Sequence, residues 1–289
     1  LLGRPNVGKS TLLNRLLAQK ISITAPKPQT TRHVILGIKT LADTQIVYVD
    51  TPGLHLGGRR AMNAYMNRTA AHVLSYGDVV VFLVEALRWT AEDDSVLQRL
   101  RAFAGPVILA VTKVDRVRDK ARLLPFLQEM AGRFAFADII PLSAVREGIN
   151  LQALEQAVAA RLPEGEFLYP EDQVTTVSQR FLAAELIREK LTRCLRDELP
   201  YALTVDIESF VVEGRLLRIG AVIWVERPSQ KAIVIGERGA LLKEVGRQAR
   251  QDMEKLFEAK VFLETWVRVR EGWADDERAL RSFGYQDDA

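Results

Sequence analysis

The stretch Gly3-Arg4-Pro5-Asn6-Val7-Gly8-Lys9-Ser10 constrains the fold more than any other part of this 289-residue chain. It fits G-x-x-x-x-G-K-[ST], in which two glycines let backbone N–H groups wrap a phosphate chain. Lys9 neutralises charge on the β and γ phosphates, and Ser10 offers a hydroxyl to Mg²⁺. A helix starting at Thr11 turns its positive end toward the same anion. Such a loop follows a strand, of which only Leu1 and Leu2 remain here. With no initiator methionine, the expectation is a truncated N-terminus.

Four further segments follow in a telling order. VYVDTPG closes a strand with Asp50, Thr51, Pro52 and Gly53, and Leu54 comes next. Asp50 is expected to serve Mg²⁺ through water, and Gly53 to sense the γ-phosphate. Thr30-Thr31-Arg32 sits between the two motifs in a polar loop able to order over that phosphate. Thr112-Lys113-Val114-Asp115 follows an apolar strand. Asp115 can accept from guanine N1–H and N2–H₂, a donor pair adenine lacks. Ser143-Ala144 follows the last strand, where a backbone N–H meets guanine O6. Each piece alone also reads as an N-cap, a turn or a solvated charge; five in order do not. Lys9, Thr31 and Gly53 are the expected groups at the reacting phosphate, and Ser10, Thr31 and Asp50 the expected Mg²⁺ set.

Apolar residues make up 48%, enough for sizeable cores and against global disorder. The longest aliphatic or aromatic run, Val79–Val84, is too short to span a bilayer. One cysteine excludes an intramolecular disulfide; Cys194 falls on the apolar side of an expected helix, where it would pack. The net charge of +3 hides an asymmetry. Residues 1–165 hold 21 Lys+Arg against 14 Asp+Glu, and residues 166–289 hold 19 against 23. Bulk charge therefore does not announce a nucleic-acid binder, and any such site is a local patch.

Strands are expected at Gln45–Val49, Val79–Val84, Val107–Val111 and Ile139–Pro141, with helices between them at Asp94–Phe103 and Leu123–Phe134. That rhythm signals βαβ units on a parallel sheet. The spacing sets a first domain over 1–163, a linker over 164–177 rich in Pro, Gly and acid, and a second domain over 178–289. In the latter, Ser178 starts a helix whose Phe181, Ala184, Ile187, Leu191 and Leu195 share a face. Two strands follow with a turn at Glu213-Gly214, then a helix over Ala240–Phe257, a strand over Val261–Val269 and a short closing helix.

Between them lies a second glycine turn, Gly236-Glu237-Arg238-Gly239. It lacks G-K-[ST], so it is no second nucleotide loop. It is either an ordinary helix start or a GXXG clamp on a nucleic-acid backbone. Residues 227–255 hold seven Lys or Arg and four acids, and Arg238, Lys243, Arg247 and Arg250 could track a strand along the helix. Glu237 would repel phosphate and is expected to face solvent while Arg238 makes the contact.

The first half resembles the translation-factor-related GTPases, with two departures. Leu54 stands where Ras-type enzymes have a water-orienting Gln, which implies the subset that positions water by other means. Thr112 stands where Asn is usual, so weaker tethering between loops is expected. In similar GTPases the Asn of the phosphate loop helps bind K⁺; Asn6 either does this or merely stabilises the turn. The element order of the second half is similar to type II KH domains, which implies a short helix over Gln230–Ile235 where β-branched residues suggest a strand.

Taken whole, the chain resembles the bacterial Era GTPases, through QTTRH (29–33), DTPGLH (50–55), ALRWTAED (86–93), SQRFLAAELIREKL (178–191), ELPYALTV (198–205), VIGERGALLKEVG (234–246) and GWADDERALRSFGY (272–285). The resemblance implies an α/β P-loop GTPase domain, mainly parallel with helices on both faces, followed by an α+β type II KH domain. It implies GTP hydrolysis to GDP, assembly of the 30S subunit, and binding of the 16S ribosomal RNA 3′ end, with no DNA partner. A cytoplasmic place with peripheral inner-membrane contact is also implied, although no lipidation signal or membrane-type basic helix is present. Two rivals remain: a C-terminal domain that docks a protein or membrane partner, and a nucleotide sensor that does not hydrolyse.

Overall fold

A computed structural model gives the fold. It describes residues 1–53, 61–145 and 149–285. Among these the chain forms two compact units, one from 1–22, 31–53 and 66–176, the other from 23–30, 61–65 and 177–285.

The first unit is an α/β layer structure. Helix α1 (Lys9–Leu16) leads to strands β1 (Ile35–Thr40) and β2 (Gln45–Asp50), which pair antiparallel from Ile35↔Asp50 to Thr40↔Gln45. Helix α2 (Ala61–Leu74, whose residues 61–65 belong to the second unit), β3 (Val80–Glu85), α3 (Ala91–Leu100), β4 (Val107–Thr112), α4 (Leu123–Ala131), β5 (Asp138–Pro141) and α5 (Leu151–Ala159) follow. β3, β4 and β5 are parallel, with β4 central and buried at every position, as expected for a strand covered on both faces. Leu2 bridges parallel to Phe82, and the Leu1 amino group donates to Val49 O at 2.7 Å. Thr90 and Asp93 form a capping box that starts α3.

Two elements here have weak or overlooked sequence signals. β1 contains Gly37, a poor strand former. A Cβ there would lie 2.5 Å from Leu17 Cδ1 and 2.7 Å from Leu13 Cδ1, so glycine leaves room for these leucine side chains against the strand. α2 carries its signal openly: Met62, Tyr65, Met66, Ala70 and Val73 recur at helical spacing and are buried.

The second unit holds α6 (Gln179–Cys194), β6 (Leu203–Glu213), β7 (Leu216–Val225), α7 (Pro228–Ile235), α8 (Ala240–Phe257), β8 (Lys260–Val269) and α9 (Glu277–Ser282). β7 is central, antiparallel to β6 and parallel to β8. The order helix, strand, strand, helix, glycine turn, helix, strand is the type II KH order. α7 is helical despite its β-branched residues. Pro228 supplies a helical φ at the first turn, and Gln230 Oε1 accepts from the N–H groups of Glu226 and Arg227.

α6 departs from the expected amphipathic helix. Phe181 and Ala184 are only partly buried, whereas Glu185, Arg188, Glu189, Lys190 and Thr192 are buried along with Ile187 and Leu191. Arg188 pairs with Glu185 at 2.6 Å, and Lys190 with Glu189 at 3.2 Å and with Asp252. Cys194 is exposed, correcting its expected packing role. The helix ends there, and Leu195, with ψ 158°, takes the inward position instead.

Ile187→Ala should therefore destabilise the second unit by about 2–5 kcal/mol in urea unfolding. Cys194→Ala should change stability by less than about 0.5 kcal/mol. The Cys194 thiol should also alkylate in the native protein; protection until unfolding would return it to the core.

Candidate functional site

The phosphate loop is built by close approach. Gly3 (φ 153°) passes so near β3 that a Cβ would lie 2.7 Å from Leu83 O. Gly8 (φ 114°) caps α1, and Asn6 holds a left-handed turn position at φ 59°. Lys9 Nζ donates to Gly3 O (3.0 Å) and Arg4 O (3.1 Å), curled under the loop it serves. Burial pushes the Lys9 ammonium down to about 8, against the opposing pull of Asp50. The Arg4 side chain is engaged with Glu85 (2.8 Å) and Asp93 (3.3 Å), so Arg4 offers a phosphate only its backbone.

Ser10, Thr31 and Asp50 come together as expected. Ser10 Oγ donates to Asp50 Oδ2 at 2.6 Å and lies 2.7 Å from Thr31 Oγ1. Asp50 is fully buried; burial pushes its carboxyl up, opposed by the Lys9 charge. Asp50 Oδ1 is buried without a hydrogen-bond partner. An all-oxygen set with an orphaned carboxylate oxygen fits Mg²⁺. Ser22 joins this group unannounced, donating to Asp50 Oδ2 at 2.9 Å. Asn14 holds the Ser22 backbone in place through two hydrogen bonds of 2.7 and 2.9 Å. Nothing in the segment ISIT signals this.

Gly53 brings the end of β2 against the phosphate loop: a Cβ would sit 2.9 Å from Pro5 N and Cα. Thr51 Oγ1 donates to Leu1 O at 3.0 Å, beside Pro52. Leu54 lies outside the described residues.

On the base side the Thr112 hydroxyl keeps a tether to the phosphate loop in the absence of an Asn amide. Thr112 Oγ1 reaches Val7 O of the phosphate loop at 2.8 Å and Val84 O at 3.0 Å. A hydroxyl has one hydrogen, so the two carbonyls share it. Asp115 Oδ1 accepts from Ser143 Oγ at 2.6 Å, which orients the carboxylate. The Ser143 N–H goes to Ile149 O at 3.4 Å, so the backbone donor for a guanine O6 falls to Ala144. Lys113 has φ 59° and donates to Glu85 Oε2 at 3.1 Å, and Val114 is buried beneath. Sequence reasoning missed Glu85, at the end of β3. Burial pushes its carboxyl up, but hydrogen bonds from Arg4 and Lys113 outweigh this and hold it low.

The second glycine turn has left-handed backbone at Gly236 (φ 74°), Arg238 (φ 50°) and Gly239 (φ 78°). A Cβ at Gly236 would meet Leu241 Cβ at 2.7 Å, whereas around Gly239 there is open space. Glu237, Arg238 and Lys243 are exposed. Arg247 is paired with Glu244 at 2.6 Å and Arg250 with Glu254 at 3.0 Å, so the expected cationic track is partly compensated.

A phosphate loop, an oxygen set for Mg²⁺ and a guanine-type acceptor loop define a P-loop GTPase, here joined to a KH domain. Residues 1–113 match a family described as 50S ribosome-binding GTPase, and residues 198–274 match the KH domain family. The chain is 57% identical to GTPase Era of Azotobacter vinelandii over 99% of its length and 95% of the relative, and 56% identical to that of Pseudomonas aeruginosa over 99% and 94%. A crystal structure of Era in complex with MgGDPNP and nucleotides 1506–1542 of 16S ribosomal RNA superposes with a TM-score of 0.95, 37% identity and 99% and 97% of the two chains. A single-residue variant of Aquifex aeolicus Era bound to GDP·AlF4⁻ gives 0.94 and 36%, with the same coverage. The chain belongs to the Era family of GTPases.

Because the Lys9 pKa is lowered and an arriving phosphate raises it, nucleotide binding should take up protons. At pH 8 the uptake should be about half a proton per site, falling to about a tenth at pH 7. Affinity should weaken as pH rises above about 8. Calorimetry in buffers of different ionisation enthalpy reads this; no uptake at pH 8 would place Lys9 fully charged before binding.

Proposed function

We propose that the protein is a GTP-hydrolysing switch that grips the 3′ region of 16S ribosomal RNA through its KH turn and so assists 30S assembly in the cytoplasm. Lys9 and the N–H groups of Gly3 to Ser10 hold the β and γ phosphates. Ser10, Thr31 and Asp50 would hold Mg²⁺, which would supply positive charge against the phosphates. Gly53 offers its N–H to the γ-phosphate. Asp115 reads N1–H and N2–H₂, and Ala144 reads O6. Gly236 and Gly239 admit an RNA backbone to the positive end of α8, with Arg238 and Lys243 as its cations and Arg247 able to exchange Glu244 for phosphate. Asn6 satisfies its turn role at φ 59°; a loss of turnover when KCl is replaced by NaCl would add K⁺ coordination to it.

The observation that carries the switch is the packing of residues 23–30. This segment belongs to the same compact unit as the KH domain. Thr24 N–H donates to Glu189 Oε1 at 2.9 Å, Arg188 donates to Thr30 O, and Lys27 to Leu195 O. The next residue, Thr31, reaches Ser10 at 2.7 Å. One peptide bond thus separates a Mg²⁺ hydroxyl from a segment fastened to α6. GTP ordering Thr31 and hydrolysis releasing it would bias that segment, and linkage requires RNA to bias nucleotide binding in return.

An oligonucleotide of the 16S 3′ end should bind the full chain with different affinity in the empty, GDP and GTP-analogue states, and Gly236→Asp with Gly239→Asp should abolish binding in all three. Equal affinities would sink the switch, and unaffected binding by the double variant would sink the KH assignment. Asp115→Asn should shift preference from guanine to xanthine nucleotides by at least about tenfold, the value of one hydrogen bond to a charged group. Retained GTP preference in competition binding would displace Asp115 as the base reader.

A further inference from the structure

We propose that Arg116, Arg118 and Arg122, on the GTPase-containing unit, form a second RNA surface that takes the phosphate backbone of small-subunit ribosomal RNA. This rests on the RNA-binding reading above but concerns a different part of the molecule. The three arginines line one cleft of about 330 Å³ together with Lys113 and two acids, Glu85 and Asp119. All three are exposed.

What sets them apart is that three arginines without a carboxylate partner among the described residues line one cleft together. Arg133, Arg161, Arg218, Arg247, Arg250 and Arg268 each have a carboxylate partner. Arg116, Arg118 and Arg122 have no ion pair among the described residues. The nearby acids are engaged. Asp115 holds Ser143, Asp119 caps the Ala121 N–H at 3.1 Å, and Glu85 already serves Arg4 and Lys113. Four cations against two carboxylates leave the cleft with a positive excess that an anion would balance. Guanidinium forks match phosphate oxygens, and several in a row match a polyanion. Among the described residues no aromatic side chain lines the cleft, so it has no platform for stacking bases. Contact with backbone phosphates rather than base reading follows. The surplus of Lys+Arg in residues 1–165 points the same way.

The test compares the full chain with R116Q/R118Q/R122Q. Intrinsic GTP turnover and unfolding report that the variant is folded. The probes are a short single-stranded oligonucleotide of the 16S 3′ end and full-length 16S ribosomal RNA. The short oligonucleotide should bind the variant as it binds wild type. On full-length RNA, the plot of log affinity against log salt should become shallower by about 2 to 3, at roughly 0.7–0.9 per lost phosphate contact. Between 200 and 50 mM salt the variant should then gain about 20- to 40-fold less affinity than wild type. R116K/R118K/R122K should retain the wild-type slope. An unchanged slope in the Gln variant overturns the proposal. So does a defect on intact 30S subunits with none on naked RNA, which would assign the surface to a ribosomal protein. Loss of oligonucleotide binding by the Gly236→Asp and Gly239→Asp variant, alongside an unchanged slope for the Gln variant, would leave the KH reading standing and remove only this surface.

Discussion

The nucleotide site depends on how closely the phosphate loop packs against three strand ends. Gly3 lies where a Cβ would meet Leu83 O at 2.7 Å, Gly53 where it would meet Pro5 at 2.9 Å, and Thr112 ties Val7 O at 2.8 Å. These contacts involve backbone, which cannot rotate away as a side chain can. They place the ends of β2, β3 and β4 around one loop. Asp50, the carboxylate of the proposed Mg²⁺ set, arrives with β2, the tethering carboxylate Glu85 with β3 and the proposed base reader Asp115 just after β4. Nucleotide chemistry in this chain is a consequence of strand ends converging on a glycine-rich turn.

Charge is distributed on a different principle in each part. Around α1 the protein buries Lys9 and Asp50 together, each shifted toward its neutral form by desolvation. A phosphate and a divalent cation would relieve both, so the site is poised for the pair rather than for either alone. In α6 the buried charges are already matched, Arg188 with Glu185 and Lys190 with Glu189 and Asp252. Two of these charged groups also hold residues 23–30, Glu189 accepting from the Thr24 N–H and Arg188 donating to Thr30 O. Around Arg116, Arg118 and Arg122 there is no ion pair among the described residues.

The legible parts of the molecule were those whose chemistry is carried by neighbouring residues. The phosphate loop, the Asp50–Gly53 turn, the Thr112–Asp115 loop and the Gly236–Gly239 turn need their residues in sequence, so spacing reveals them. The helical periods of α4 and α8 were equally plain, and α3 was legible although it starts three residues before the expected Asp94. β1 was hidden because Gly37 answers a packing demand from α1 that no local propensity expresses. α7 became a helix against its β-branched composition because Pro228 and Gln230 start it and Val234 is buried beneath it. Ser22 and Glu85 could not be picked out, since each is an isolated polar residue whose role lies in a partner many positions away.

The sequence by itself determined the two glycine turns, the order of the nucleotide motifs and most of the elements around them, because these are local backbone requirements. Only the tertiary structure decided which charges are matched and which are left open. It turned α6 polar inside, set Cys194 outside, paired Arg247 and Arg250, and left Arg116, Arg118 and Arg122 without an ion pair among the described residues. A charge is compensated by whatever the fold brings within a few ångströms, and that distance is not written along the chain.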